Sequence, residues 1–191
     1  RLFAHRKALE ALPPGTLAPM EPFSFTARDG MEIHGYLTFP PGQERAGLPA
    51  VLNVHGGPWV RDVWGFHTEA QWLANRGYVC VQVNYRGSTG YGKGFVNAGD
   101  KQWGRAMQDD LTDAVRFVVD QGWVDGARVG IYGGSYGGYA VLAGATFTPD
   151  VYRCGVDIVG PSNLITLLGS VPEYWKPVIA MMHQRVGNPQ T

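Results

Sequence analysis

Apolar and polar positions alternate with period two over 21–27 and 31–39, on either side of an Asp29-Gly30 turn, which predicts a β-hairpin. The pattern then changes. Residues 49–57 (PAVLNVHGG) form a continuous apolar strand that ends in glycines. A helix is predicted over 66–77 (FHTEAQWLANRG), closed by Gly77, followed by a strand over 78–85 (YVCVQVNY) and a glycine-rich loop over 86–95. The clearest helical period lies in 108–122, where Leu111, Ala114, Val115, Val118 and Val119 share one face and Asp109 and Asp110 suit the N-terminal dipole. A strand over 128–134, a helix over 136–147 and a strand over 154–160 come next, then aromatic and helical material from 162 to 186. Strands without polar alternation, separated by helices, predict a doubly wound α/β domain with a mostly parallel sheet covered on both faces. Residues 1–20, with Pro13, Pro14, Gly15 and Pro19, read as a linker ahead of the domain at 21–191.

Composition narrows the classes. The chain has 191 residues, 45% hydrophobic and 17% charged, enough for a sizeable core in one globular domain. Lys+Arg and Asp+Glu balance at 16 each, so nothing points to nucleic acid or to an anionic membrane. The apolar runs are too short to span a bilayer. Two cysteines, Cys80 and Cys154, both in predicted strands, are expected to pack in the core of a cytoplasmic protein. No metal site or cofactor is expected.

The candidate chemistry lies at 132–140 (YGGSYGGYA). Ser135 satisfies G-x-S-x-G, with a strand running into the motif and a helix of small residues leaving it, as a nucleophile elbow requires. Such a serine needs donors for the oxyanion formed on attack. The N–H of Tyr136 is one, and the N–H of Gly57 or Gly56, in 55–59 (HGGPW), is the other; Pro58 has none to give. His55 stands as a residue that shapes this loop and as a substrate contact.

NVHGGPW (53–59), NYRGSTGYG (84–92), the QDDLTDAV helix, GGSYGGYA and CGVDIVGPSNL (154–164) together resemble the prolyl oligopeptidase family of serine peptidases, in its acylaminoacyl-peptidase and dipeptidyl-aminopeptidase branch. The resemblance implies an α/β-hydrolase catalytic domain, normally preceded by a β-propeller, that cleaves short peptides through an acyl-enzyme. Family members with Tyr at the position of His55 use that side chain in the oxyanion hole, so the His here favours backbone donation. Specificity would come from Pro161, Tyr174 and Trp175, an apolar wall suited to a hydrophobic or proline side chain.

Activation is the gap. In this fold the acid and the histidine follow the serine in chain order. Downstream of Ser135 stand only Asp150, Asp157, Glu173 and His183, none where the seventh and eighth strands would deliver a triad. The expectation is an α/β-hydrolase portion truncated before its last two strands and inactive alone, with an unpaired sheet edge that invites association between chains. Two other readings share these motifs: a carboxylesterase or lipase, and a non-catalytic hydrolase-like interaction module.

Overall fold

The computed structural model describes residues 11–13 and 15–188. The first half of the expected linker, and Pro14, lie outside the described residues. Six strands form one sheet. In chain order they are β1 (Met20–Thr26), β2 (Glu32–Thr38), β3 (Leu48–Val54), β4 (Val79–Asn84), β5 (Val124–Gly134) and β6 (Cys154–Ile158). Their spatial order is β1-β2-β4-β3-β5-β6. β1 and β2 form the expected antiparallel hairpin, β2 meets β4 antiparallel, and β4, β3, β5 and β6 run parallel.

Between them lie α1 (Thr68–Asn75), α2 (Lys93–Asn97), α3 (Ala106–Asp120) and α4 (Tyr136–Phe147). After β6 come α5 (Leu164–Gly169), a 3-10 turn (Glu173–Val178) and α6 (Ile179–Arg185). α1 starts two residues later than its apolar pattern because His67 caps it, its ring accepting from the Ala70 N–H at 3.3 Å. The core sits where α3 and α4 cover the sheet: Leu52, Val81, Val83, Leu111, Ile131 and Ala140 are all buried there. α6 is tied back to the 93–101 region by an Arg185–Asp100 ion pair of 2.8 Å and a Lys101 N–H bond to the Arg185 carbonyl of 2.7 Å.

Three expectations need correction. Asp110 does not serve the α3 dipole at the surface. It points inward, fully buried, and takes a bidentate ion pair from the buried Arg86, whose other arm holds Asp29. Cys154 is exposed, whereas Cys80 is buried and its thiol is pushed up by desolvation. All five residues of β6 are exposed, although α4 reaches this strand through Val141, so among the described residues the cover is thinner at β6 than at the centre of the sheet. A strand's own composition cannot say whether anything packs on it.

Candidate active site

β3 and β5 are neighbours, and Val54 pairs with Gly133. The two loops that leave their carboxyl ends therefore start side by side. That places HGGPW against the elbow, the crevice position at which open parallel sheets bind ligands.

Ser135 sits between β5 and α4 with φ 56° and ψ −118°, a strained conformation for a residue with a side chain. Its N–H bonds the Ile158 carbonyl at 2.9 Å, so β6 holds the elbow from the other side. The turn closes only because Gly137 lacks a side chain: a Cβ there would be driven into the Val54 carbonyl oxygen. A Cβ on Gly56 would stand 3.1 Å from the Gly134 carbonyl oxygen and 3.5 Å from Ser135 Cβ, so the two loops touch through backbone. Tyr136 opens α4, and its N–H is one of the helix's first donors, which have no acceptor within the helix. Its side chain is buried against Tyr85, Trp103 and Tyr139, which anchors the elbow from below.

A cavity of 590 Å³ opens beside the serine. Ser135, Tyr136, Gly57, Pro161, Tyr174 and Trp175 all line it, so six of the residues singled out in the sequence come together. Trp59, Trp103, Val159, Leu167, Val178, Met181 and Met182 also line it, and among the described residues no charged side chain does. Such a wall accepts an apolar group and rejects a charged one. Trp103 and the methionines gave no local signal, because they arrive from a loop and a helix with no motif of their own. Val159 is also at a positive φ of 52°, which is exceptional for a β-branched residue, and it is exposed beside the serine.

His55 is not part of that wall. Its ring stacks on Tyr85 at 4.4 Å, with Nδ1 2.8 Å from the Gly56 carbonyl oxygen and Nε2 3.0 Å from Ser88 Oγ. It lines a separate polar cleft of 310 Å³ with Gly56, Asp62, His67 and Glu69. Burial pushes the basicity of His55 down, and the Asp62 carboxylate opposes this; burial likewise pushes Asp62 up, with His55 opposing.

Among the described side chains, none of Asp150, Asp157 and His183 completes a triad with Ser135. Asp157 lies within β6 and its Oδ1 accepts the Gly160 N–H at 2.8 Å. His183 lies on α6, Asp150 in the turn before β6, and Glu173 opens the 3-10 segment. Among the described residues no group of three or more His, Cys, Asp and Glu is placed to hold a metal ion. No helix among them is long and apolar enough to cross a membrane.

Comparison with known proteins agrees with this architecture. The chain is 50% identical to the dipeptidyl aminopeptidase BIII of Pseudoxanthomonas mexicana over 100% of its own length and 28% of that protein. It superposes on a puromycin-hydrolyzing peptidase of Mycobacterium tuberculosis with a TM-score of 0.86 at 29% identity, covering 95% of this chain and 28% of that one. The acylaminoacyl peptidase of Pyrococcus horikoshii gives a TM-score of 0.82 at 26% identity, over 96% of this chain and 29% of that one. The chain thus spans little more than a quarter of the length of these relatives, and within that span its sheet and helices are those of an α/β-hydrolase domain. The pattern of the prolyl oligopeptidase family matches residues 64–188, and the chain belongs to that family.

Proposed function

We propose that these residues are the nucleophile-and-oxyanion portion of a serine peptidase that hydrolyses short peptides through an acyl-enzyme. One observation carries the reading: Ser135 is held at positive φ between β5 and α4, in backbone contact with the HGGPW loop and on the wall of an apolar cavity. Strain of about 1–3 kcal/mol at such a residue persists only where its surroundings enforce it. In the reaction Ser135 Oγ bonds to the substrate carbonyl carbon and its proton passes to a general base. The carbonyl oxygen becomes an anion facing the N–H groups of Tyr136 and Gly57. As it collapses, the C–N bond breaks and the protonated base gives its proton to the leaving amine. Water, deprotonated by the same base, later releases the acyl group as an acid and restores the Ser135 hydroxyl. The base and its acid are assigned to chain beyond this portion, on strands that would continue the sheet past the exposed β6. A propeller ahead of the linker at 1–20 would restrict access to short peptides. Tyr174, Trp175 and Pro161 would seat an apolar or proline side chain, and the free thiols suit a cytoplasmic setting.

A fluorophosphonate probe and two substrates test this on the full-length polypeptide. Labelling at Ser135, with cleavage of an acylated amino-acid anilide, is the expected result. Turnover of a short p-nitrophenyl ester without any amide cleavage would make the protein an esterase, and absence of labelling would leave an interaction module.

A further inference from the structure

The hydrogen bonds around His55 do not balance for a neutral ring. Nδ1 is 2.8 Å from the Gly56 carbonyl oxygen, which can only accept, so Nδ1 carries a proton. The Ser88 hydroxyl has one proton, and its oxygen lies 2.6 Å from the Tyr85 carbonyl oxygen, again a pure acceptor. That proton is committed to Tyr85, so Ser88 Oγ faces His55 Nε2 at 3.0 Å as an acceptor and Nε2 must donate. The Tyr85 hydroxyl offers no alternative, because its shorter contact is 2.8 Å to the His55 carbonyl oxygen, against 3.2 Å to Nδ1. Two ring donors mean an imidazolium.

The consequence follows from peptide planarity. The Gly56 carbonyl and the Gly57 N–H belong to one peptide unit and point in opposite directions from it. A charge-assisted bond to that carbonyl aims the unit and withdraws electrons from its N–H, making it a stronger donor on the far side. We propose that His55 is held as an imidazolium by Ser88 and Asp62, and that through the Gly56 carbonyl it orients and polarises the Gly57 N–H for the oxyanion. His55, Ser88 and Asp62 are then positioning residues, and the catalytic consequence rests on the peptidase reading above.

The neighbours support a buried cation. On the same loop the Asp62 charge acts on His55, and its Oδ2 is buried with no hydrogen-bond partner among the described residues. From the residue after β4 the ring is covered by Tyr85, with Tyr136 of α4 behind it, and neither phenol ionises at neutral pH because burial pushes both well up. His67 and Glu69, ahead of and within α1, act on Asp62. Burial alone would strip the proton from His55. Fixed hydrogen bonds to the charged form, with a carboxylate at hand, act the other way. Burial pushes His55 down, while the Asp62 charge and the bond to the Gly56 carbonyl push it up. Under the proposal the fixed hydrogen bonds prevail, so the charge is present at neutral pH and lost as pH rises.

Side-chain nitrogen–proton correlation spectra of the full-length polypeptide at neutral pH read the protonation state directly, with the His55 signals identified by their loss in His55→Gln or, should that variant not fold, by their shift in Ser88→Ala. Protons on both ring nitrogens are expected; a single protonated nitrogen overturns the proposal. In the full-length polypeptide, Ser88→Ala should move the alkaline limb of kcat/KM to lower pH by about one unit. It should lower kcat with little change in KM, and Ser88→Thr should restore both. An unmoved alkaline limb in Ser88→Ala overturns the catalytic role. Failure of Ser135 to react with the fluorophosphonate would sink the peptidase reading instead, while the nitrogen spectra would still decide the charge on His55.

Discussion

The carboxyl ends of β3 and β5 differ sharply from β6 and the helices that follow it, although all three strands run parallel within one sheet. At β3 and β5 the emerging loops interlock through backbone, with Gly56 and Gly137 admitting neighbours that any side chain would displace. Beneath them Tyr85 and Tyr136 are wholly enclosed. β6 exposes every residue, and beyond it Ile165 and Tyr174 are 69% and 78% exposed. The lesson is one of self-sufficiency. The half of the site that presents a nucleophile and oxyanion donors is built by adjacent strands packing on each other. The half that would recognise a substrate side chain rests on a thin apolar wall carried by a short run of helices.

That contrast can be broken in order of expected effect. Ser135→Ala in the full-length polypeptide should cut kcat by about 10⁶-fold and abolish probe labelling, with the circular dichroism of the domain unchanged. Arg86→Met should lower stability by about 3–5 kcal/mol in urea unfolding, because it strands the buried Asp110 carboxylate, and adding Asp110→Leu should recover most of the loss. The Arg86 guanidinium also holds the Asp29 carboxyl down at about 2, so its contribution should be present at neutral pH and lost as acid titration falls through that value. An acid-unfolding midpoint that ignores Asp29→Asn would contradict this. Trp175→Ala tests the thin side of the comparison: kcat/KM for peptides with an apolar side chain at the scissile bond should fall about tenfold, with little change in urea stability. Ser135→Gly should raise stability by about 1 kcal/mol while removing activity, since glycine relieves the positive φ. Smallest in energy, in the isolated 191-residue chain Cys154 should react with a thiol reagent before unfolding while Cys80 reacts only on unfolding, and in the full-length polypeptide Cys154 should be slower. Equal rates of the two thiols in the isolated chain would contradict the exposed edge.

Much of the centre was legible beforehand because it is local. A strand running into G-x-S-x-G, small residues after it and an HGGP loop after the preceding parallel strand are all contiguous signals. Pattern also located the β1–β2 hairpin and α3. Where pattern failed, the deciding partner was distant. Asp110 carries a good dipole residue's identity, but Arg86, 24 positions earlier, draws it inward. Cys154 sits in an apolar strand, yet nothing among the described residues covers it. Trp103 and Met182 reach the serine's cavity only through loop and helix placement.

The sequence by itself determined the parallel sheet, the elbow and the chemistry open to Ser135, because periodicity, glycine spacing and strand order are written in neighbouring residues. Only the tertiary structure decided which side chains wall the cavity, which acid pairs with Arg86, and that His55 faces Ser88 and the Gly56 carbonyl rather than the cavity. Those outcomes depend on what packs against a residue from elsewhere in the chain, and on where buried hydrogen-bonding groups find partners; no window of sequence contains that information.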